Sequence, residues 1–131
     1  MTATTARTAT TLALVGATHR TVPLELRERL AFSADQATAA LTAFRERFPG
    51  REAVLLSTCN RVELYVAGEN DVPAPPADDL VAFLAECRDV EVARLGGVLS
   101  RQADEAVVRH LFSVAAGLES MVLGEPQILG Q

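Results

Sequence analysis

The chain contains no lysine, so each of its twelve basic side chains is an arginine. A codon bias accounts for that more simply than selection for guanidinium forks that grip phosphate. Cysteine is scarce. Two residues far apart, with no targeting segment, exclude a disulfide framework and fit a reducing cytoplasm, and no Cys/His spacing suits a zinc site. No apolar run has the length of a signal peptide or a membrane span, and the opening Met1 to Thr11 is small and polar, the composition of a disordered arm. Nor is there a dinucleotide fingerprint: Gly117-Leu-Glu-Ser-Met-Val-Leu-Gly124 has neither the glycine spacing nor a preceding strand. Positive charge is short as well. A net charge of −5 argues against a self-sufficient nucleic-acid binder, because phosphate affinity needs concentrated cations. That charge is unevenly spread: residues 1–67 hold eight arginines and six acids, residues 68–131 four arginines and eleven acids. An anionic partner would approach the first part.

What is present suits one globular domain over residues 12–131: 131 residues in all, 49% hydrophobic and 22% charged. Leu12 to Ala17 reads as a strand, and Pro23 suits the first turn of a helix over Leu24 to Leu30. Ser33 with Gln36 makes a capping-box pattern, and Ala37, Ala40, Leu41, Phe44 and Phe48 share the apolar face of the helix it opens, which Pro49-Gly50 stops. Glu52 to Ser57 is almost entirely apolar, as in a central strand buried on both faces. Val62, Leu64 and Val66 alternate with Glu63 and Tyr65, giving a strand with one wetter face. Asp78 starts a helix with Leu80, Phe83, Leu84 and Cys87 inside, Val98 to Gln102 forms a weak strand, and a last helix from Asp104 carries the stripe Val107, Leu111, Val114 and Leu118. The expected class is α+β: a ferredoxin-like split βαβ sandwich, βαββαβ, with an additional C-terminal helix. Ile128 and Leu129 close to the last residue need cover, as in a fragment of a longer polypeptide.

One stretch, Val54-Leu-Leu-Ser-Thr-Cys-Asn-Arg-Val-Glu-Leu-Tyr65, places a thiol where two strands should reverse. A free cysteine usually packs in a core, and Cys87 on its apolar stripe fits that role. Cys59 does not, since its neighbours Ser57, Thr58, Asn60 and Arg61 are all polar. A nearby guanidinium favours thiolate, Asn60 can take a left-handed turn conformation, and turn N–H groups can face a developing oxyanion. The turn chemistry alone leaves a nucleophile and an incidental solvated thiol equally open.

Three ordered blocks decide between them by resemblance. Ser57-Thr-Cys-Asn-Arg-Val-Glu-Leu-Tyr65 resembles the cysteine motif of the glutamyl-tRNA reductase family. Gly16-Ala-Thr-His-Arg-Thr-Val-Pro-Leu-Glu-Leu-Arg-Glu-Arg-Leu-Ala-Phe32 is similar to that family's amino-terminal signature, and His110 through Gln131 to its central one. The resemblance implies that Cys59 attacks the ester of glutamyl-tRNA to form a thioester, which hydride from NADPH reduces to glutamate-1-semialdehyde for tetrapyrrole synthesis. It implies that Arg61 clamps the substrate carboxylate, that Thr58 and Asn60 shape the same wall, and that His110 is a second catalytic group, a polariser or proton donor. Ser120, Glu125, Gln127 and Gln131 match substrate-contacting positions, and His19 is assigned a structural role supporting the cysteine loop. NADPH is expected to bind in a domain absent from this chain. The partners implied are glutamyl-tRNA(Glu), a second copy in a full-length homodimer, and a downstream glutamate-1-semialdehyde aminomutase. Two rival readings keep the fold without the chemistry: a non-catalytic module binding glutamyl-tRNA or a partner, and a redox-sensing cysteine domain.

Overall fold

The computed structural model describes residues 9–117. Its elements run β1 (Thr10–Thr18), α1 (Leu24–Leu30), α2 (Ala34–Arg47), β2 (Glu52–Ser57), β3 (Arg61–Glu69), α3 (Ala77–Arg88), α4 (Val92–Leu95), β4 (Ser100–Ala103) and α5 (Glu105–Ala115). The four strands form one sheet in the order β2-β3-β1-β4, with every neighbouring pair antiparallel. The central ladder joins β1 and β3 from Thr10 opposite Glu69 to Thr18 opposite Arg61. β1 therefore starts two residues inside the stretch that composition assigns to an arm. No described helix is long and apolar enough to cross a membrane.

The period-two alternation of a strand gives the sheet two different faces. Ala13, Val15 and Ala17 of β1 and Val62, Leu64 and Val66 of β3 join the main core with Leu26 and Leu30 of α1, Phe44 of α2, and Leu80, Phe83 and Leu84 of α3. The Ser33/Gln36 capping box forms as expected: Gln36 N donates to Ser33 Oγ at 3.2 Å, and Ser33 N donates to Gln36 Oε1 at 2.8 Å. On the opposite face Leu14 and Tyr65 pack against Val107 of α5. That helix is tied down at its start, where the Asp104 backbone N–H donates to Leu12 O and its Oδ1 accepts from Leu12 N, both at 2.9 Å.

Four expectations change. β2 is an edge strand, not a central one, and its Val54 is 63% exposed. A short apolar run reads the same in either place, because its composition does not record how many neighbours the strand has. β3 has no wet face: Arg61 through Val66 are all buried, because α5 covers the side that Glu63 and Tyr65 occupy. In α5, Val107 and Val114 point inward, whereas Leu111 is half-exposed beside the open edge of β2, and Leu118 lies outside the described residues. A short helix, α4, precedes β4, which begins at Ser100 where the sequence suggests Val98.

Candidate active site

The reversal between β2 and β3 consists of Thr58, Cys59 and Asn60. Thr58 N donates to Arg61 O at 2.8 Å, and Thr58 Oγ1 accepts from Asn60 N at 3.1 Å and Arg61 N at 3.3 Å. A threonine hydroxyl that captures the next two free N–H groups makes a tight turn without glycine. The surrounding chain holds this turn as well. His19 N donates to Asn60 O at 2.9 Å, Phe32 N donates to Ser57 Oγ at 2.9 Å, and Arg27 Nε donates to Cys59 O at 3.4 Å. The backbone of His19 thus supports the cysteine loop, the role expected of that residue.

Cys59 is exposed at the tip of this fixed turn, while Cys87 is half-buried on α3. Burial, with the Glu86 carboxylate beside it, raises the Cys87 thiol above its ordinary value against the opposing pull of Arg47 and Arg88. Among the described residues the non-glycine positions with positive φ are Asp89 and Asp104, so Asn60 does not take the left-handed conformation; the Thr58 hydroxyl closes the turn instead. Asn60 is nonetheless buried.

Arg61 is fully buried, and its Nη1 lies 3.3 Å from Glu63 Oε2. Glu63 is the residue that sequence reasoning missed. Fully buried on β3, it accepts from His110 Nε2 at 2.5 Å and from Tyr65 Oη at 2.8 Å as well as from Arg61. Burial by itself would raise the Glu63 carboxyl, but the hydrogen bond and charge of His110, the charge of Arg61 and the Tyr65 hydroxyl together hold it below the usual carboxylate range. The same burial, then the Glu63 charge, drives the Tyr65 phenol well above its ordinary value. Arg61, Glu63 and Tyr65 share one strand face by the period of two, and that spacing of three hydrogen-bonding side chains was the available signal.

Glycine makes room for this cluster. Gly16 pairs with Glu63 across the sheet, and a Cβ at Gly16 would come within 2.8 Å of both Glu63 Cγ and the Val62 carbonyl oxygen. The cluster links the start of β3 to His110, with Arg61 next to the thiol turn and Glu63 about 7 Å further along the strand. His110 keeps 13% of its side chain in solvent, so its ring is oriented by Glu63 without being sealed away. Chemically the arrangement offers an exposed thiol, an imidazole set by a carboxylate, and a guanidinium paired with that same carboxylate.

Thr58, Cys59, Asn60, Arg61 and His110 thus fall on the turn and the network adjoining it, whereas Ser120, Glu125, Gln127 and Gln131 lie outside the described residues. Among the described residues no group of three or more His, Cys, Asp or Glu side chains could hold a metal ion. The described βα junction after β1 carries His19 to Pro23 and no glycine, so it does not fit a dinucleotide pyrophosphate.

Comparison with known proteins gives a consistent result. The family model described as glutamyl-tRNAGlu reductase, N-terminal domain, matches residues 15–131. Glutamyl-tRNA reductase of Marinobacter nauticus is 48% identical over 120 residues, which cover 92% of this chain and 27% of that protein. Its counterpart in Rubrobacter xylanophilus is also 48% identical over 120 residues, with the same coverage of both chains. Among solved structures, glutamyl-tRNA reductase from Methanopyrus kandleri superposes with a TM-score of 0.66 at 35% identity, covering 92% of this chain and 26% of that one. The chain therefore spans about a quarter of the length of these relatives.

Proposed function

The chain belongs to the glutamyl-tRNA reductase family, whose N-terminal domain it matches, and from that premise we propose that it carries the acyl-transfer half of an NADPH-dependent glutamyl-tRNA reductase. The observation that supports this best is the exposed Cys59 thiol, held in a turn by hydrogen bonds and adjoining the Arg61–Glu63–His110 network. The strand order β2-β3-β1-β4 supports reading the scaffold as ferredoxin-like, with the turn at the end of its β2–β3 hairpin.

In this reading the Cys59 sulfur attacks the carbonyl carbon of the ester joining glutamate to the tRNA 3′ end. The thiol gives up its proton, a tetrahedral intermediate forms, and the carbon–oxygen bond breaks to leave a thioester on Cys59. The departing ribose oxygen needs a proton, and His110, set by Glu63, supplies or relays it. An aminoacyl ester is already activated, so the thiol requires positioning more than a strong base. Arg61 pairs with the side-chain carboxylate of the substrate, which must open the cover over this buried guanidinium; Glu63 holds the guanidinium in place, and the substrate carboxylate competes with Glu63 for its N–H groups. Thr58 and Asn60 shape the same wall, and Ser120, Glu125, Gln127 and Gln131 are assigned to substrate contact by the family motif. NADPH supplies hydride for reduction of the thioester in the whole protein. The junction between β1 and α1 does not fit that cofactor, and no step through it is assigned to the described residues. Homodimerisation and transfer of the semialdehyde to an aminomutase belong to the whole protein in the same way.

Mixing this chain with glutamyl-tRNA labelled in the glutamate, then quenching in acid, tests the proposal. After ribonuclease digestion of the quenched mixture, which releases glutamate still esterified to tRNA as a small soluble fragment, label should precipitate with the wild-type protein and not with Cys59→Ser. A non-catalytic module would retain label only through intact tRNA, and a redox sensor would retain none. Either result in place of a covalent adduct would refute the proposed chemistry.

A further inference from the structure

We propose that Arg27 is a positioning residue for the thiol turn, fixing the peptide plane that follows Cys59; the inference rests on the reading of Cys59 as nucleophile. Arg27 lies on α1 and is only 8% exposed. Its Nη1 donates to Val22 O at 2.8 Å and its Nε to Cys59 O at 3.4 Å. Among the described residues no carboxylate forms an ion pair with it. A cation buried against carbonyl dipoles alone is a costly way to hold a seven-residue helix in place, and an apolar side chain at this position would pack at lower cost. The arginine is explained by what it holds.

It holds one end of a rigid unit. A peptide group is planar, so fixing both its oxygen and its nitrogen fixes its orientation. For the peptide joining Cys59 to Asn60, Arg27 takes the oxygen and Thr58 Oγ1 takes the N–H at 3.1 Å. For the next peptide, His19 N takes Asn60 O at 2.9 Å and Thr58 Oγ1 takes Arg61 N at 3.3 Å. Both planes after the thiol are therefore held at both ends, and Arg27 is the side chain that reaches the first of them from another element. The Cys59 carbonyl is held by a buried side chain while the residue itself is exposed. Without Arg27 the first plane can rotate about Cys59. The thiol stays exposed but loses its alignment with a bound ester.

Arg27→Met removes both donors, and Arg27→Lys, the milder variant, keeps the charge but reaches one carbonyl at most. In single-turnover acylation by glutamyl-tRNA, Arg27→Met should lower the maximal rate at least about tenfold and leave the half-saturating concentration within about threefold, because alignment and not binding is lost. Arg27→Lys should fall between it and the wild type. Alkylation of Cys59 by iodoacetamide should stay within about threefold of the wild type in both, since a small reagent needs exposure and not direction. Amide hydrogen exchange at Asn60 and Arg61 should quicken by at least about tenfold in Arg27→Met, with the β1–β3 ladder unchanged. If the ladder also exchanges faster, Arg27→Lys decides by the same comparison. Wild-type rates of acylation, or unchanged exchange at Asn60 and Arg61, would overturn the assignment. Wild-type protein that forms no thioester would refute Cys59 as nucleophile instead, and the exchange measurement would still judge Arg27.

Discussion

Replacing Glu63 by glutamine removes one charge from a site where three donors converge on one fully buried carboxylate. The amide keeps a single acceptor oxygen and turns its NH2 toward groups that also donate. Arg61, fully buried, then loses its carboxylate. Removing one partner from a buried ion pair costs on the order of 3–5 kcal/mol; the isosteric amide, which can still accept from Tyr65 or His110, should cost about 3 kcal/mol. For a domain of this size that corresponds to a fall in Tm of roughly 10–15 °C at neutral pH. The loss should depend on pH. The Glu63 carboxyl is held below its reference value of 4.5, so its contribution is fully present above that value and disappears as pH falls through the lower folded pKa. Wild type and Glu63→Gln should therefore differ most at neutral pH and converge in acid. Thermal unfolding of both proteins at a series of pH values from neutral to about 3 measures this directly. A Tm difference below about 2 °C at neutral pH, or one that does not narrow in acid, would refute the view that Glu63 is an ionised hub holding Arg61 and His110.

Other consequences follow from the same geometry. Gly16→Ala should destabilise by about 2 kcal/mol and reduce acylation, because its Cβ would meet Glu63 Cγ and a backbone oxygen at 2.8 Å; wild-type stability would show that the strands can part there freely. Iodoacetamide at neutral pH should label exposed Cys59 well before Cys87, whose thiol burial pushes up, and equal rates by peptide mapping would count against the difference in environment. Arg61→Lys should lose much of the activity toward glutamyl-tRNA and less toward glutaminyl-tRNA, whose neutral amide makes no ion pair; identical losses would leave Arg61 a purely structural partner of Glu63.

Local features were legible where one residue's chemistry decides the outcome. The Ser33/Gln36 box opens α2, Val62, Leu64 and Val66 enter the main core, and Cys59 sits in a polar turn while Cys87 lies on an apolar stripe. What escaped depends on neighbours distant in sequence. Glu52 to Ser57 is apolar enough for a central strand, but β3 and β1 occupy the centre of the sheet. Glu63 and Tyr65 alternate with apolar residues as solvent-facing groups do, and only the arrival of α5, anchored through Asp104 to Leu12, turns that wet face into a buried polar cluster. Arg61 could be marked as important from the motif, yet its ion pair with Glu63 two residues along the same strand face becomes visible only once that face is covered. The family resemblance carried Cys59 and His110 together. The link from Arg61 through Glu63 to His110 came from the fold.

The most direct test is to locate the adduct. After brief mixing with glutamyl-tRNA and acid quenching, peptide mapping by mass spectrometry should find one glutamyl group on the peptide containing Cys59, removable by neutral hydroxylamine as a thioester is, and none on the peptide containing Cys87. A glutamyl group on Cys87 or on an amine, or no adduct while the same protein consumes glutamyl-tRNA, would contradict the account.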